Sequence, residues 1–289
     1  MPSMHPDVSF PLSGSSTAAI GDCLRLRLLH LGGTLIESRW GGHDYIGPHW
    51  RVYLNLDDGA WAEVRGIKIP LQAGRLYVIP AWLHWIGGCR GRVRHLNALF
   101  DLPTVSSDTV STTATNIFDV GGPTSHLAQR WLELGLALAK IPGPSATQVA
   151  HGYELAYAAL AAVCTQLGPA SERLLAPMGR SGLYPVLALI EQHLAEPQTV
   201  SSLARLSGCS PAELHRQFIA GVGVSPVRWV RTRRVTLAAD LLRATDLSIT
   251  DIAQRTGFAD RVRFSKVFAQ HMGLGPAAWR KRELIHFHN

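Results

Sequence analysis

One pattern occurs twice in the last hundred residues, and it constrains the fold more than any other feature of the chain. The first copy reads Leu203-Ala204, Gly208, Ser210, Leu214, Phe218, Gly223, Pro226, Trp229. The second reads Ile252-Ala253, Gly257, Asp260, Phe264, Phe268, Gly273, Pro276, Trp279. From Leu214 to Phe264 and onward the offset is 50 residues, whereas Gly208 and Gly257 are 49 apart, so one residue near Ala259 is extra. A short helix, a glycine turn and a second helix with apolar anchors four residues apart make a helix-turn-helix. Two copies are too few to stack into a solenoid.

The start signals fit this reading. Ser210-Pro211 and Ser225-Pro226 each put a capping serine before a proline at the first helical position. Ser248-Ile-Thr-Asp251 fits a capping box, and Asp260 stands where Ser210 stands in the first copy. In the first unit Leu214 and Phe218 are expected to bury against Leu203 and Leu206, leaving Ala212, His215 and Arg216 outside. In the second unit Phe264 and Phe268 bury, and Val262, Ser265 and Lys266 face out with Arg261 beside them. Arg216 and Lys266 have the reach to read guanine, and Ala212 and Val262 can meet a thymine methyl. Each good bidentate contact would discriminate by roughly 1–3 kcal/mol.

Charge falls on the same segment. Residues 180–289 carry 15 Lys/Arg against 8 Asp/Glu, while residues 1–179 carry 13 of each, so the whole formal charge of +7 lies with the repeat. A solvated basic surface would not be partitioned in this way; a polyanion partner requires it. The breaker-free stretch from Pro226 to Arg243 joins the units and holds Arg228, Arg231, Arg233, Arg234 and Arg243. As a helix it would span roughly 27 Å, a little short of the ~34 Å between successive major-groove segments on one face of B-DNA. The arginines as a set are read as phosphate contacts, Arg231 and Arg234 foremost.

These residues resemble the AraC/XylS family of bacterial transcription regulators over about residues 182–283. The match is strongest in Ser248-Ile-Thr-Asp-Ile-Ala-Gln-Arg-Thr-Gly-Phe258, then in Phe264-Ser-Lys-Val-Phe268, Gly273 and Pro276. The resemblance implies seven helices, two helix-turn-helix units and a connecting helix. It places recognition positions on Ala212, His215, Arg216, Arg261, Val262, Arg263 and Lys266. Gly275 departs from the family's serine, and Arg263 stands where a tyrosine or smaller residue is common, so base preference does not transfer. The resemblance further implies an activator working with RNA polymerase, double-stranded DNA as partner, and a homodimer.

The first half reads differently. Short apolar or alternating runs (Leu24–Leu29, Gly33–Arg39, Trp50–Leu56, Trp61–Ile67, Arg75–Ile79, Val93–Phe100) are separated by glycine signals at 32–33, 41–42, 59, 74 and 87–88. That pattern suggests a small β-barrel or jelly roll. Residues 103–123, polar and rich in Thr and Ser, read as a loop or extended connection. Leu127, Trp131, Leu134 and Leu138 share one helical stripe, a second helix runs from about Ala146 to Leu167, and Ile141-Pro-Gly-Pro between them implies an antiparallel pair. The pair either packs on the barrel or supplies a dimer surface. Gly74-Arg-Leu-Tyr-Val-Ile-Pro80 with His84, His49-Trp-Arg-Val-Tyr-Leu-Asn55 and His95-Leu-Asn-Ala-Leu-Phe100 resemble the cupin-type sensor many family members carry, which implies a small effector such as a sugar or other metabolite.

The expected architecture is thus α+β and multidomain. Residues 1–20 form a loose tail, 21–170 a cupin-like effector-binding and dimerisation domain, 171–181 a linker, and 182–289 the DNA-binding domain. Five of the eight tryptophans lie between Trp40 and Trp85. From this cluster Trp50, Tyr53, Trp82 and His84 are assigned to a ligand site. A metal-dependent cupin enzyme fused to a DNA-binding domain is the rival. His43, His49, His84 and His95 prompt it, but Trp50-Arg51 follows His49 where a His-x-His pair is needed, and only Glu63 could supply the acid. No nucleophile pattern or phosphate-binding glycine loop occurs, and Cys89 beside Arg90 is a faint candidate for an activated thiol. The chain is therefore expected to be no enzyme, with no cofactor and no metal. Cys23, Cys89, Cys164 and Cys209 have neither zinc nor redox spacing and read as reduced thiols of a cytoplasmic protein. No signal peptide or membrane-spanning stretch is read.

Overall fold

The computed structural model describes residues 25–38, 42–138, 144–174 and 183–287. Outside them lie the tail assigned to residues 1–20, Cys23, Trp40 and most of the linker at 171–181.

The described residues of the first half form nine strands: β1 (Arg27–Ile36), β2 (His43–Tyr45), β3 (Trp50–Asn55), β4 (Ala60–Val64), β5 (Ile67–Pro70), β6 (Leu76–Ile79), β7 (Trp85–Cys89), β8 (Val93–Asp101) and β9 (Phe118–Gly121). They build two antiparallel sheets, ordered β1-β8-β3-β6-β9 and β2-β7-β4-β5, rather than one closed barrel. Two glycine pairs taken as turns lie inside strands. Gly32-Gly33 sits within β1, where a Cβ on Gly33 would come 2.9 Å from Leu96. Gly87-Gly88 sits within β7, where a Cβ on Gly88 would come 2.0 Å from the Trp61 ring. Close approach, not chain reversal, is why these positions are glycine.

The stretch expected as a loop or extended connection at 103–123 contains strand β9 and also a helix, α1 (Ser107–Thr113), capped by the Ser106 side chain. Helices α2 (His126–Leu138) and α3 (Ala146–Leu167) follow, the latter opened by a capping box between Ser145 and Gln148. They pack on each other and on β1, and Ala128, Trp131, Leu155, Ala159 and Val163 join the core on the outer face of the five-stranded sheet. With helices on one face and the second sheet on the other, β3 is buried along its whole length.

Seven helices occupy residues 183–287: α4 (Tyr184–Gln192), α5 (Val200–Leu206), α6 (Pro211–Val222), α7 (Pro226–Ala244), α8 (Ile249–Arg255), α9 (Arg261–Met272) and α10 (Pro276–Phe287). The apolar core is continuous from the sheet's outer face through α4, α5 and α6 to Trp229 and Val230 of α7. A separate cluster of Val235, Leu242, Ile252, Phe264, Phe268, Met272 and Trp279 holds the second unit, and Trp82 packs against both. A third cluster, with Tyr45, Tyr53, Tyr77 and Trp85, fills the space between the sheets. Among the described residues no helix is long and apolar enough to cross a membrane.

Candidate nucleic-acid interface

Local chemistry positions the two reading helices in the same way. Ser210 accepts the Glu213 amide and opens α6, and Asp260 accepts the Arg263 amide at 2.7 Å and opens α9. Ahead of each, a left-handed glycine ends the preceding helix: Gly208 at φ 65° and Gly257 at φ 76°. The next amide reaches back to match: Cys209 N–H donates to Ala204 O at 3.0 Å and Phe258 N–H to Ala253 O at 2.9 Å. Each unit closes with an edge-to-face ring pair, Phe218 on Trp229 at 6.5 Å and Phe268 on Trp279 at 5.8 Å. Leu206 does not contribute to the first core as expected. It is the last residue of its helix, beside the turn, and is 65% exposed.

On the outer faces Ala212, His215 and Arg216 of α6, and Arg261, Val262, Arg263 and Lys266 of α9, are exposed. Val262 is 78% exposed, where an apolar side chain has no core to join. Arg216 pairs with Glu213 one turn earlier. The Gln217 amide and Arg216 together hold the Glu213 carboxyl below its ordinary range. Between the two units, over α7, lies a groove of about 580 Å³ whose rim includes Thr199, Arg231, Arg263 and Val267.

Reading the α7 arginines as one phosphate-binding set needs correction. Arg233 is buried, donating to Glu191 at 2.5 Å and to Asp101 at 2.9 Å. Arg234 gives its three donors to the main-chain oxygens of Leu194, Glu196 and Gly257 at 2.7–2.8 Å, and burial lowers its pKa. It ties the two units together instead of facing outward. Arg228 pairs with Asp108 at 3.0 Å, and Arg243 donates to Leu29 O at 3.4 Å. Arg231 alone of the five is exposed without a partner among the described residues. The reason is that α7 lies between the sheet and both helical units, so most of its faces are covered.

The four residues assigned to a ligand site do not converge. Trp50 and Tyr53 are three apart on β3 and so point to opposite faces. Trp50 stacks on Phe100 at 5.9 Å toward α7, while Tyr53 lies between the sheets, edge-on to His95 at 4.3 Å. Trp82, at φ 62°, donates its amide to Gly47 O and wedges between the helical cores. His84 is exposed and bound to Asp44 at 2.5 Å. The crevice shared by Trp50, Trp82, Trp229 and Arg233 has only about 20 Å³ of free volume, room for a single water.

The sequence reading missed a polar cluster between the sheets, although period-two alternation of Arg51, Tyr53 and Asn55 was its signal. His95 Nδ1 donates to Asn55 Oδ1 at 2.7 Å, and burial pushes its pKa from 6.5 to about 3, with Arg51 adding to the effect. Burial raises the Tyr45 and Tyr53 hydroxyls above their ordinary range. Helix α10 reaches this mouth: the buried Glu283 lies 3.9 Å from the Arg51 guanidinium, and Arg282 donates to Asp44 O at 2.9 Å. A second bridge joins sheet and α7, with Asp240 accepting from Arg27 at 2.6 Å and meeting His49 Nε2 at 2.8 Å. His49, His84 and His95 thus have separate partners, and no group of three metal-ligating side chains occurs among the described residues. Burial raises the Cys89 pKa, with Glu37 adding to it, the opposite of an activated thiol.

Residues 203–282 match the family model of a helix-turn-helix domain. The chain is 36% identical over 102 residues to the HTH-type transcriptional activator RhaS of Enterobacter sp. (strain 638), which is 35% of each protein. It is 38% identical over 94 residues to RhaS of Citrobacter koseri, 32% of this chain and 34% of the relative. The match therefore spans about a third of the length of these relatives. ToxT from Vibrio cholerae superposes on 89% of this chain and 99% of its own with a TM-score of 0.54 at 9% identity, which shows a shared two-part fold. The exposed faces, the caps and the family match agree: the C-terminal region of this chain is a helix-turn-helix domain of the AraC type.

Proposed function

We propose that this chain is a sequence-specific, DNA-binding transcription regulator that activates its promoters by engaging RNA polymerase. The observation that carries the reading is the pair of equivalent recognition helices, each with its outward residues free of the core. The 19-residue α7 between them is ~28 Å long at 1.5 Å per residue, which suits adjacent major grooves of a slightly bent duplex. In this reading Ala212, His215, Arg216, Arg261, Val262 and Lys266 face base edges, and Arg231 and Arg263 the backbone. The RhaS relatives are named as activators, which supports activation.

The N-terminal region, about residues 21–170, acts as the sensor of a small molecule and as the dimerisation domain of a cytoplasmic homodimer. One ToxT structure holds an unsaturated fatty acid and another a naphthalenyl-butenoic acid, so a protein of this fold can carry a small ligand. Selection of random duplexes by the full chain, followed by competition at moderate ionic strength, tests the proposal. A recovered consensus with two half-sites one helical turn apart is expected. No preference for any duplex over competitor nucleic acid would overturn it.

A further inference from the structure

The outer face of the four-stranded sheet lies away from both the helical units and the space between the sheets. Strand β4 alternates buried and partly exposed residues, so Trp61 and Glu63 point outward. A tryptophan ring on a solvent face ordinarily tilts to cover its neighbours. Here Gly88 is its register partner on β7. A Cβ there would fall 2.0 Å from the ring, so glycine alone lets the indole lie flat on the strand. Beside it opens a groove of about 570 Å³ lined by Trp61, Lys68, Gln72, Asp58 and Arg90. That volume suits a small molecule.

The cations around this groove are not neutralised by an ion pair among the described residues. Three surface arginines of the same half are paired with carboxylates: Arg75 with Asp119, Arg92 with Glu37, Arg94 with Asp57. Lys68 and Arg90 have no carboxylate partner among the described residues. The Lys68 ammonium rests over the Trp61 ring, 3.6 Å from its centroid. Its flexible stem can swing it aside to meet an anion. The walls are fixed: Arg90 N–H donates to Gly59 O at 3.0 Å, and Asp58 Oδ1 accepts the Ala73 amide at 2.8 Å, leaving Oδ2 to accept a further donor.

We infer that this groove binds an acidic sugar, a pyranose bearing a carboxylate or phosphate. The C–H face of the ring stacks on Trp61, the anion takes Lys68 and Arg90, and hydroxyls donate to Asp58 and bond to Gln72. A neutral sugar leaves both cations unused, and an aromatic acid offers Asp58 no donor. The inference rests on the reading of the N-terminal region as a sensor and places its ligand on the outer surface of the four-stranded sheet.

Calorimetric titration of the full chain with D-glucuronate, D-glucose 6-phosphate, methyl glucoside and benzoate tests it. At least one acidic sugar should bind with a Kd tighter than about 1 mM, and the stronger of the two identifies the anion. Methyl glucoside and benzoate should bind roughly tenfold more weakly, and Lys68→Ala and Arg90→Ala should each weaken the acidic sugar roughly tenfold. Both substituted side chains are exposed, and unchanged thermal midpoints would establish that folding is intact. Silence from both acidic sugars, equal binding of benzoate, or affinity unchanged in both variants would overturn the site. The titration contains no DNA. Loss of duplex preference with sugar binding intact would therefore sink only the regulator reading, and the converse only this one.

Discussion

Gly208 and Gly257 occupy the same place in the two repeats with nearly the same backbone angle, yet alanine should cost very different amounts at each. Both sit in the left-handed region, where a side chain adds about 1–2 kcal/mol. A Cβ on Gly208 meets nothing within 4 Å, so Gly208→Ala should cost no more than that. At Gly257 the added carbon would fall 2.7 Å from the Arg234 guanidinium carbon and 2.8 Å from Leu194 O. Arg234 bonds both Leu194 O and Gly257 O, so the intruding methyl cannot be accommodated by a small shift of one free side chain. Overpacking adds about 1–3 kcal/mol, and loosening one charged hydrogen bond roughly 1.5–3 more. Gly257→Ala should therefore lose about 3.5–8 kcal/mol. Urea unfolding of the two variants and the parent, followed by far-ultraviolet circular dichroism, reads the difference in midpoint. Combining Gly257→Ala with Arg234→Ala should cost less than the two singly, because both break one cluster. Equal losses from the two glycines, or strict additivity with Arg234→Ala, would refute this reasoning.

The remaining expectations concern the reading faces, acid and the buried charges. Arg216→Ala should flatten sequence discrimination in a competition assay, whereas Arg231→Ala should weaken all duplexes alike and reduce the salt slope by about one. Because the His95 pKa is depressed to about 3 in the folded chain, the unfolded chain alone takes up this proton as pH falls below 6.5. Stability should then drop by up to ~1.4 kcal/mol per pH unit toward pH 3, and His95→Gln should remove that component from an acid titration. Arg233→Ala leaves Asp101 held only by Arg27 in a buried site, and a loss of about 3–5 kcal/mol in chemical denaturation is expected.

What the sequence made legible was local. Helices α6, α7, α8 and α9 of the C-terminal region follow from caps at Ser210, Ser225, Ser248 and Asp260, whose partners lie three residues away, and from anchors one turn apart. What it concealed depends on distant partners. Arg233 finds Asp101 across 132 residues and Arg234 finds Leu194 across 40, so nothing beside them in the chain distinguishes them from the exposed Arg231. Gly33 and Gly88 mimic turns because the side chains that crowd them belong to other strands. The opposed faces of Trp50 and Tyr53 were legible from strand alternation, but the abundance of aromatic residues drew attention to composition in place of direction.

Helix α10 closes the second unit with Trp279 and, one turn on, pushes Glu283 against Arg51 inside the other half of the molecule. The reading heads are consequently not an interchangeable cartridge. Grafting a foreign sensor onto residues 183–287 would leave Glu283, which is shielded from water in the intact chain, with Arg282 at 3.4 Å but without the second cation that Arg51 supplies. Chimeras of this protein should be more stable when the incoming sensor carries an arginine or lysine at the position of Arg51, or when Glu283 is neutralised along with the exchange.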